Sequence, residues 1–342
     1  MKLPYIKVEY REEETEAPGK MSPALIVGFG LHWAWVYLLM FNGQIILFPQ
    51  VASMQSLLAV TSGAAMALTL LLYALCLKQA RALFATPFAI RHNRFGAAVL
   101  MVATVVLCLV GNGLPAAAAP CFAVAGVASG VGTAVLLMSF GVSFSVCDLP
   151  TIALCTALSV PVSAIVLTGS LMVAAVVAPV GAVVCLALPF LELLCLNRCS
   201  ADLVDKLEFA YLTMPVKTGT FAALVGIPSV VFGLLLGVLR TCALATLPIG
   251  YEPRLFAGAL FAASLATCAA LILAMLTLRK SRNFAFRMLI PLMAALLGLL
   301  ATPAGADDFF RAFALLGSYF MLESCLWMMY ADIAQNYRVS AF

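Results

Sequence analysis

Long apolar runs, separated by short polar stretches, restrict this chain more than any motif it carries. A helix of about 20 apolar residues, within a range of roughly 17–25, crosses the hydrocarbon layer of a bilayer. On that scale the sequence places ten spans, at residues 23–48, 53–77, 95–114, 118–140, 149–168, 171–195, 218–243, 254–278, 287–302 and 309–333. The longest charged interruption is residues 197–217, with Arg198, Asp202, Asp205, Lys206, Glu208 and Lys217. Six spans precede it and four follow. The expected fold class is therefore an all-α polytopic membrane protein of about ten transmembrane helices, arranged 6+4. Its expected parts are a polar tail (1–22), a first six-helix half (23–196), a central loop (197–217) and a partial second half of four helices (218–342).

Composition agrees. Hydrophobic residues make up 64% of the 342 and charged residues 10%, whereas soluble domains carry about 25% charged residues. The solvent for most of the chain is lipid. The net charge of +4 is dispersed, so no electrostatic footprint for nucleic acid exists. In the tail, Glu9, Glu12, Glu13, Glu14 and Glu16 sit among Lys2, Lys7, Arg11 and Lys20. Such a segment is expected to be solvated and disordered. The first apolar run is too long for a cleaved signal, so it reads as a retained span.

Lys and Arg orient the spans. With the N-terminus inside the cell, the cytoplasmic side receives the tail, the loop from Lys78 to Arg94, the central loop, the loop from Arg279 to Arg287, and Arg338. Of the nineteen Lys and Arg, only Arg240, Arg254 and Arg311 fall outside. The positive-inside rule then puts both termini in the cytoplasm and the protein in the inner (cytoplasmic) membrane. Arg240, Arg311 and Glu192 are expected to reach the membrane edges, and Asp148 reads as a helix N-cap.

Pro161, Pro179, Pro189, Pro228 and Pro291 fall inside spans and predict kinks, tolerated where neighbouring helices bond the freed backbone groups. The fifth and sixth spans are parted only by Gly169-Ser170. Gly126 with Gly130, and Gly233 with Gly237, have the spacing of close helix packing. Most of the eleven cysteines lie in apolar runs and read as small hydrophobes. Cys195 and Cys199 share a helix face, but no His or further Cys nearby completes a metal site. No metal and no cofactor is expected.

Ionisable groups deep in the membrane are few. Glu323 lies near the middle of the last span, and helical spacing aligns it with Tyr319, Trp327 and Tyr330. A carboxylate there costs several kcal/mol unless paired, protonated or facing water, so it marks a functional site by default. The first span carries His32, Trp35 and Asn42, with Trp33 and Gln44 nearby. Aromatic rings mixed with a few hydrogen-bonding groups make the usual lining of a small-molecule pocket. The expected ligand-binding residues are His32, Trp35, Asn42, Tyr319, Glu323 and Trp327. The plainer alternatives are headgroup anchoring for the tryptophans, a carbonyl-bonded core His32, and a protonated structural Glu323. The only other histidine, His92, belongs to the basic segment RHNR and reads as solvated. With no HExxH, GxSxG or phosphate-binding glycine loop, no catalytic residue is expected.

Six spans, a charged cytoplasmic loop and further spans resemble the major facilitator superfamily, truncated at its C-terminal end. The loop KQARALFATPFAIRHNR has positive charge but lacks the acidic residue and glycine of that superfamily's motif. A closer local resemblance is to the membrane portion of actinobacterial LuxR-type regulators. It rests on GFGLHWAWVYLLMF at residues 28–41 and SCLWMMYADIAQNYRVSAF at residues 324–342, with Trp327 followed by Ala331-Asp332-Ile333. In that family two more helices and a helix-turn-helix follow; the present sequence has no such polar module, so direct nucleic-acid binding is not expected of it. The resemblance implies a membrane-embedded sensor of an unidentified small molecule, working in signal transduction. The alternative is a facilitator-type secondary transporter, proton-coupled through Glu323, with a homo-oligomer making up for the missing helices.

Overall fold

A computed structural model of the chain describes residues 5–11, 22–75, 87–144, 147, 149–174, 176–177, 179–202, 211–217, 253–278 and 308–337. Its helices, in chain order, are α1 (Pro23–Ile46), α2 (Gln55–Leu75), α3 (Pro87–Gly113), α4 (Ala118–Phe144), α5 (Leu149–Ala174), α6 (Pro179–Asp202), α7 (Pro253–Leu278) and α8 (Asp308–Tyr337). Proline opens α1, α3, α6 and α7, and also the 3-10 turns Pro49–Met54 and Pro115–Ala117 that lead into α2 and α4. Its φ is already set for a helix, and the N–H it lacks would have no partner in a first turn.

That chemistry corrects the hairpin between the fifth and sixth spans. The helix runs straight through Gly169-Ser170 to Ala174, and the next one starts at Pro179. Pro179 is a helix start, not a kink, because a residue before proline is pushed out of the helical region. Likewise α3 begins at Pro87, so the basic segment RHNR is helical, not a loop.

Seven of the described helices are long and apolar enough to cross a membrane, and α8 holds a shorter apolar stretch at Ala312–Met328. The expected spans at 218–243 and 287–302, with Arg240 and the Gly233/Gly237 pair, lie outside the described residues, as does Asp148. The side chains of Gln44, Arg311 and Tyr330 lie outside them too. The distribution of polar groups fits helices of this length and apolarity. Outward residues such as Val60, Leu68, Ile165, Val183 and Leu194 are exposed, while Ser62, Thr104, Ser129, Ser139, Thr156 and Ser163 are buried. Polar groups turn inward because lipid offers them no hydrogen bond.

The described residues also include an antiparallel ribbon. Strand β1 (Tyr5–Arg11) pairs with β2 (Tyr211–Lys217), Tyr5 opposite Lys217 and Arg11 opposite Tyr211. The tail is therefore ordered over these seven residues, against the expectation of disorder. YIKVEYR is rich in aromatic and β-branched residues in near-alternation, a strand pattern that the acidic cluster after it obscures. Strand β1 also lies against α8.

The chain divides into two compact units. One comprises Ser22–Ser143 and Pro161–Val204; the other Met1–Met21, Phe144–Val160 and Asp205–Ala341, so the division passes through α5 at Pro161. In the first, α2 and α4 touch through glycine. A Cβ on Gly126 would fall on Thr61, and one on Gly130 on the backbone of Ser62 and Met66. Ser62 Oγ–H donates to Ser129 Oγ across the same contact at 3.1 Å. The Gly126/Gly130 spacing is thus a packing device. In the second unit α7 packs on α8, and Thr267 Oγ1–H donates to the Gly317 carbonyl at 3.3 Å.

Candidate functional site

Helices α1 and α6 run antiparallel in close contact, and their polar groups meet at successive levels. Ser22 Oγ lies 3.6 Å from Cys199 Sγ. Nearly two turns on, Gly28 lets the helices approach, since a Cβ there would come 2.8 Å from the Cys195 Cβ. Next, His32 Nδ1 lies 2.9 Å from Glu192 Oε1. Further along, Trp35 Nε1–H donates to the Cys185 carbonyl at 3.0 Å. The partner's number falls as that of α1 rises, as two antiparallel helices of equal rise require.

Each contact has a local cause. Cys185 stands four residues before Pro189, which lies inside α6. Proline has no N–H, so the Cys185 carbonyl loses its helical donor. The indole of Trp35, 0% exposed, supplies the replacement. This is the re-satisfaction by a neighbouring helix that prolines in spans call for. Arg94 of α3, 3% exposed, donates through Nη1–H to the Leu196 carbonyl at 3.0 Å. Aromatic rings wall the histidine: Trp33 at 5.4 Å and Phe140 of α4 at 5.9 Å between centroids. Phe29 lies edge-on to Trp33 and tilted on Phe140.

The His32–Glu192 pair is the chemical centre of this unit. Both side chains are 0% exposed. Each has one further polar atom, His32 Nε2 and Glu192 Oε2, that is buried and makes no hydrogen bond among the described residues. Two titratable groups in contact inside an apolar bundle hold or exchange a proton at low cost only as a pair, because either charge alone costs about 3 kcal/mol at mid-membrane depth.

Of the expected ligand residues, the structure places His32, Trp35 and Asn42 in this unit, all buried. His32 bonds a carboxylate rather than a carbonyl, and Trp35 bonds α6 rather than anchoring at a headgroup. Asn42 Nδ2–H donates to the Tyr37 carbonyl of its own helix at 3.1 Å. Tyr319, Glu323 and Trp327 lie on α8 in the other unit. The first two are buried, at 3% and 6% exposure, and Trp327 is half-buried with its ring 5.7 Å from that of Phe144.

Sequence reasoning missed Glu192, which does not reach a membrane edge. It stands in LALPFLELLCL, with no other charge across eleven residues. The argument that singled out Glu323 applies to it equally. Arg94 was likewise expected in a solvated loop. His92 and Arg91, one turn before it, are exposed. Among the described residues no group of three His, Cys, Asp or Glu is placed to hold a metal ion, Cys195 and Cys199 included. Comparison of the chain with family models, with curated proteins and with solved structures gave no match.

Proposed function

We propose that the chain is a membrane-embedded small-molecule-sensing domain of the LuxR-regulator type, facilitator-like in plan. The observation that carries this reading is Glu323. A carboxyl group at the middle of an apolar helix, buried beside Tyr319, is the residue type a membrane protein keeps for recognition. Sensing requires that the ligand bind two conformations with different affinity. A thermal-shift screen of small polar and aromatic compounds on the purified protein tests it. A hit whose stabilisation disappears in Glu323→Ala supports the site; a hit unaffected by that change removes it.

A transporter is the second reading, favoured by the fully buried His32–Glu192 pair. Substrate flux in proteoliposomes, lost in Glu323→Gln, separates transport from sensing. Both readings take the protein to lie in the cytoplasmic membrane with its termini in the cytoplasm. Charge supports that orientation, and so does the ribbon. Strands that flank α1–α6 in the sequence pair directly, as an even number of crossings between Arg11 and Tyr211 would allow. Reporter fusions placing Arg11 and Lys217 on opposite faces would overturn it.

A further inference from the structure

We propose that His32 and Glu192 form a proton-binding site that latches α1 to α6, a role that does not depend on either reading above. The pair is fully enclosed, and among the described residues each partner retains one unbonded polar atom, Nε2 and Oε2. A proton is the one ligand such a site takes without opening the bundle.

Charge decides how the latch works. With one titratable proton shared between them the pair is neutral as a whole, either as imidazolium with carboxylate or as imidazole with carboxylic acid. Both forms hold the same number of protons and keep the Nδ1···Oε1 hydrogen bond. When one proton leaves to bulk water, a single negative charge remains between two apolar helices. Polar groups on the helices packed here bond backbone carbonyls. From α3, Arg94 donates to the Leu196 carbonyl; from α2, Gln55 donates to the carbonyls of Leu39 and Met40. From α4 the pair is faced by the Phe140 ring. On α6 itself Cys195 and Cys199 follow at helical spacing, Cys199 against Ser22 Oγ, with Arg198 beyond. The net charge is therefore relieved by separating α1 from α6 and admitting water, which is how proton loss becomes helix movement.

The sign follows from the same accounting. The pair stabilises the fold while the proton is bound, and that contribution disappears as rising pH removes it. The test is the melting temperature of the full chain in detergent between pH 6 and pH 9. Wild type is expected to fall by several degrees. Glu192→Gln keeps an acceptor for Nδ1–H but has no proton to lose, so its curve is expected to stay flat. His32→Gln leaves the carboxyl group without its basic partner and is expected to fall further than wild type. Parallel curves for wild type and Glu192→Gln would overturn the latch. If Glu192→Gln does not accumulate, wild type against His32→Gln decides: a steeper fall in the variant supports the proposal, and parallel curves refute it.

Discussion

Two neighbouring spans of the first unit, similarly apolar, have opposite surroundings. Of the most apolar 18 residues within Pro23–Gly43, the stretch of α1, 83% are buried; of those within Pro49–Tyr73, which includes α2, 11% are. Helix α1 holds His32, Trp35 and Asn42 against protein, while α2 turns Val60, Leu68, Leu71 and Leu72 outward. Mean hydropathy reports that a segment can cross lipid. It is blind to which segment other helices surround. The residues that make the difference are the few polar and aromatic ones, because only protein can bond them at that depth.

If that contrast is right, substitutions on the α1 contact should cost far more than those on the outer face of α2. The largest loss is expected for His32→Leu, which strands Glu192 in the α1–α6 contact at about 3 kcal/mol or more; thermal unfolding in detergent measures it. Gly130→Ala should come next, at about 2 kcal/mol, because the added Cβ meets the backbone of Ser62 and Met66, which cannot rotate away. It tests whether α2, though mostly bare, is fixed at one line of contact. Trp35→Phe should cost about 1 kcal/mol by orphaning the Cys185 carbonyl. The double variant with Pro189→Ala restores the helical N–H and should recover most of that loss, so a double-mutant cycle of near-zero coupling would refute the assignment. Removing the Ser62 hydroxyl with Ser62→Ala should cost about 0.6 kcal/mol, the usual worth of an interhelical bond in a membrane. Leu71→Ala should stay within about 0.5 kcal/mol. A large effect there would mean that α2 has a protein neighbour on its outer face.

The sequence reading succeeds wherever the physics is local. Apolar length located α1, α2 and α4 to within a few residues, and glycine spacing marked the close-packing face of α4 without naming its partner. It went astray where one residue type serves two purposes. Pro179 and Pro189 look alike in an apolar run; one starts α6 and the other interrupts it. The acidic cluster hid a strand at Tyr5–Arg11, whose pairing partner lies some two hundred positions away. For the candidate site, His32 and Trp35 stood out by type, but their partners did not. Glu192 and the Cys185 carbonyl belong to α6, five α-helices later in the chain, and nothing near α1 in sequence names them.

What the amino-acid order determined by itself is a set of helices long and apolar enough to cross a membrane, because an apolar run in lipid must bond its own backbone. What only the tertiary structure decided is the pairing: which carboxylate meets the histidine, which indole answers the proline, and which of two similarly apolar helices is enclosed. Those outcomes depend on side chains brought together from distant positions, where a bond worth little in water becomes the only way to satisfy a polar group.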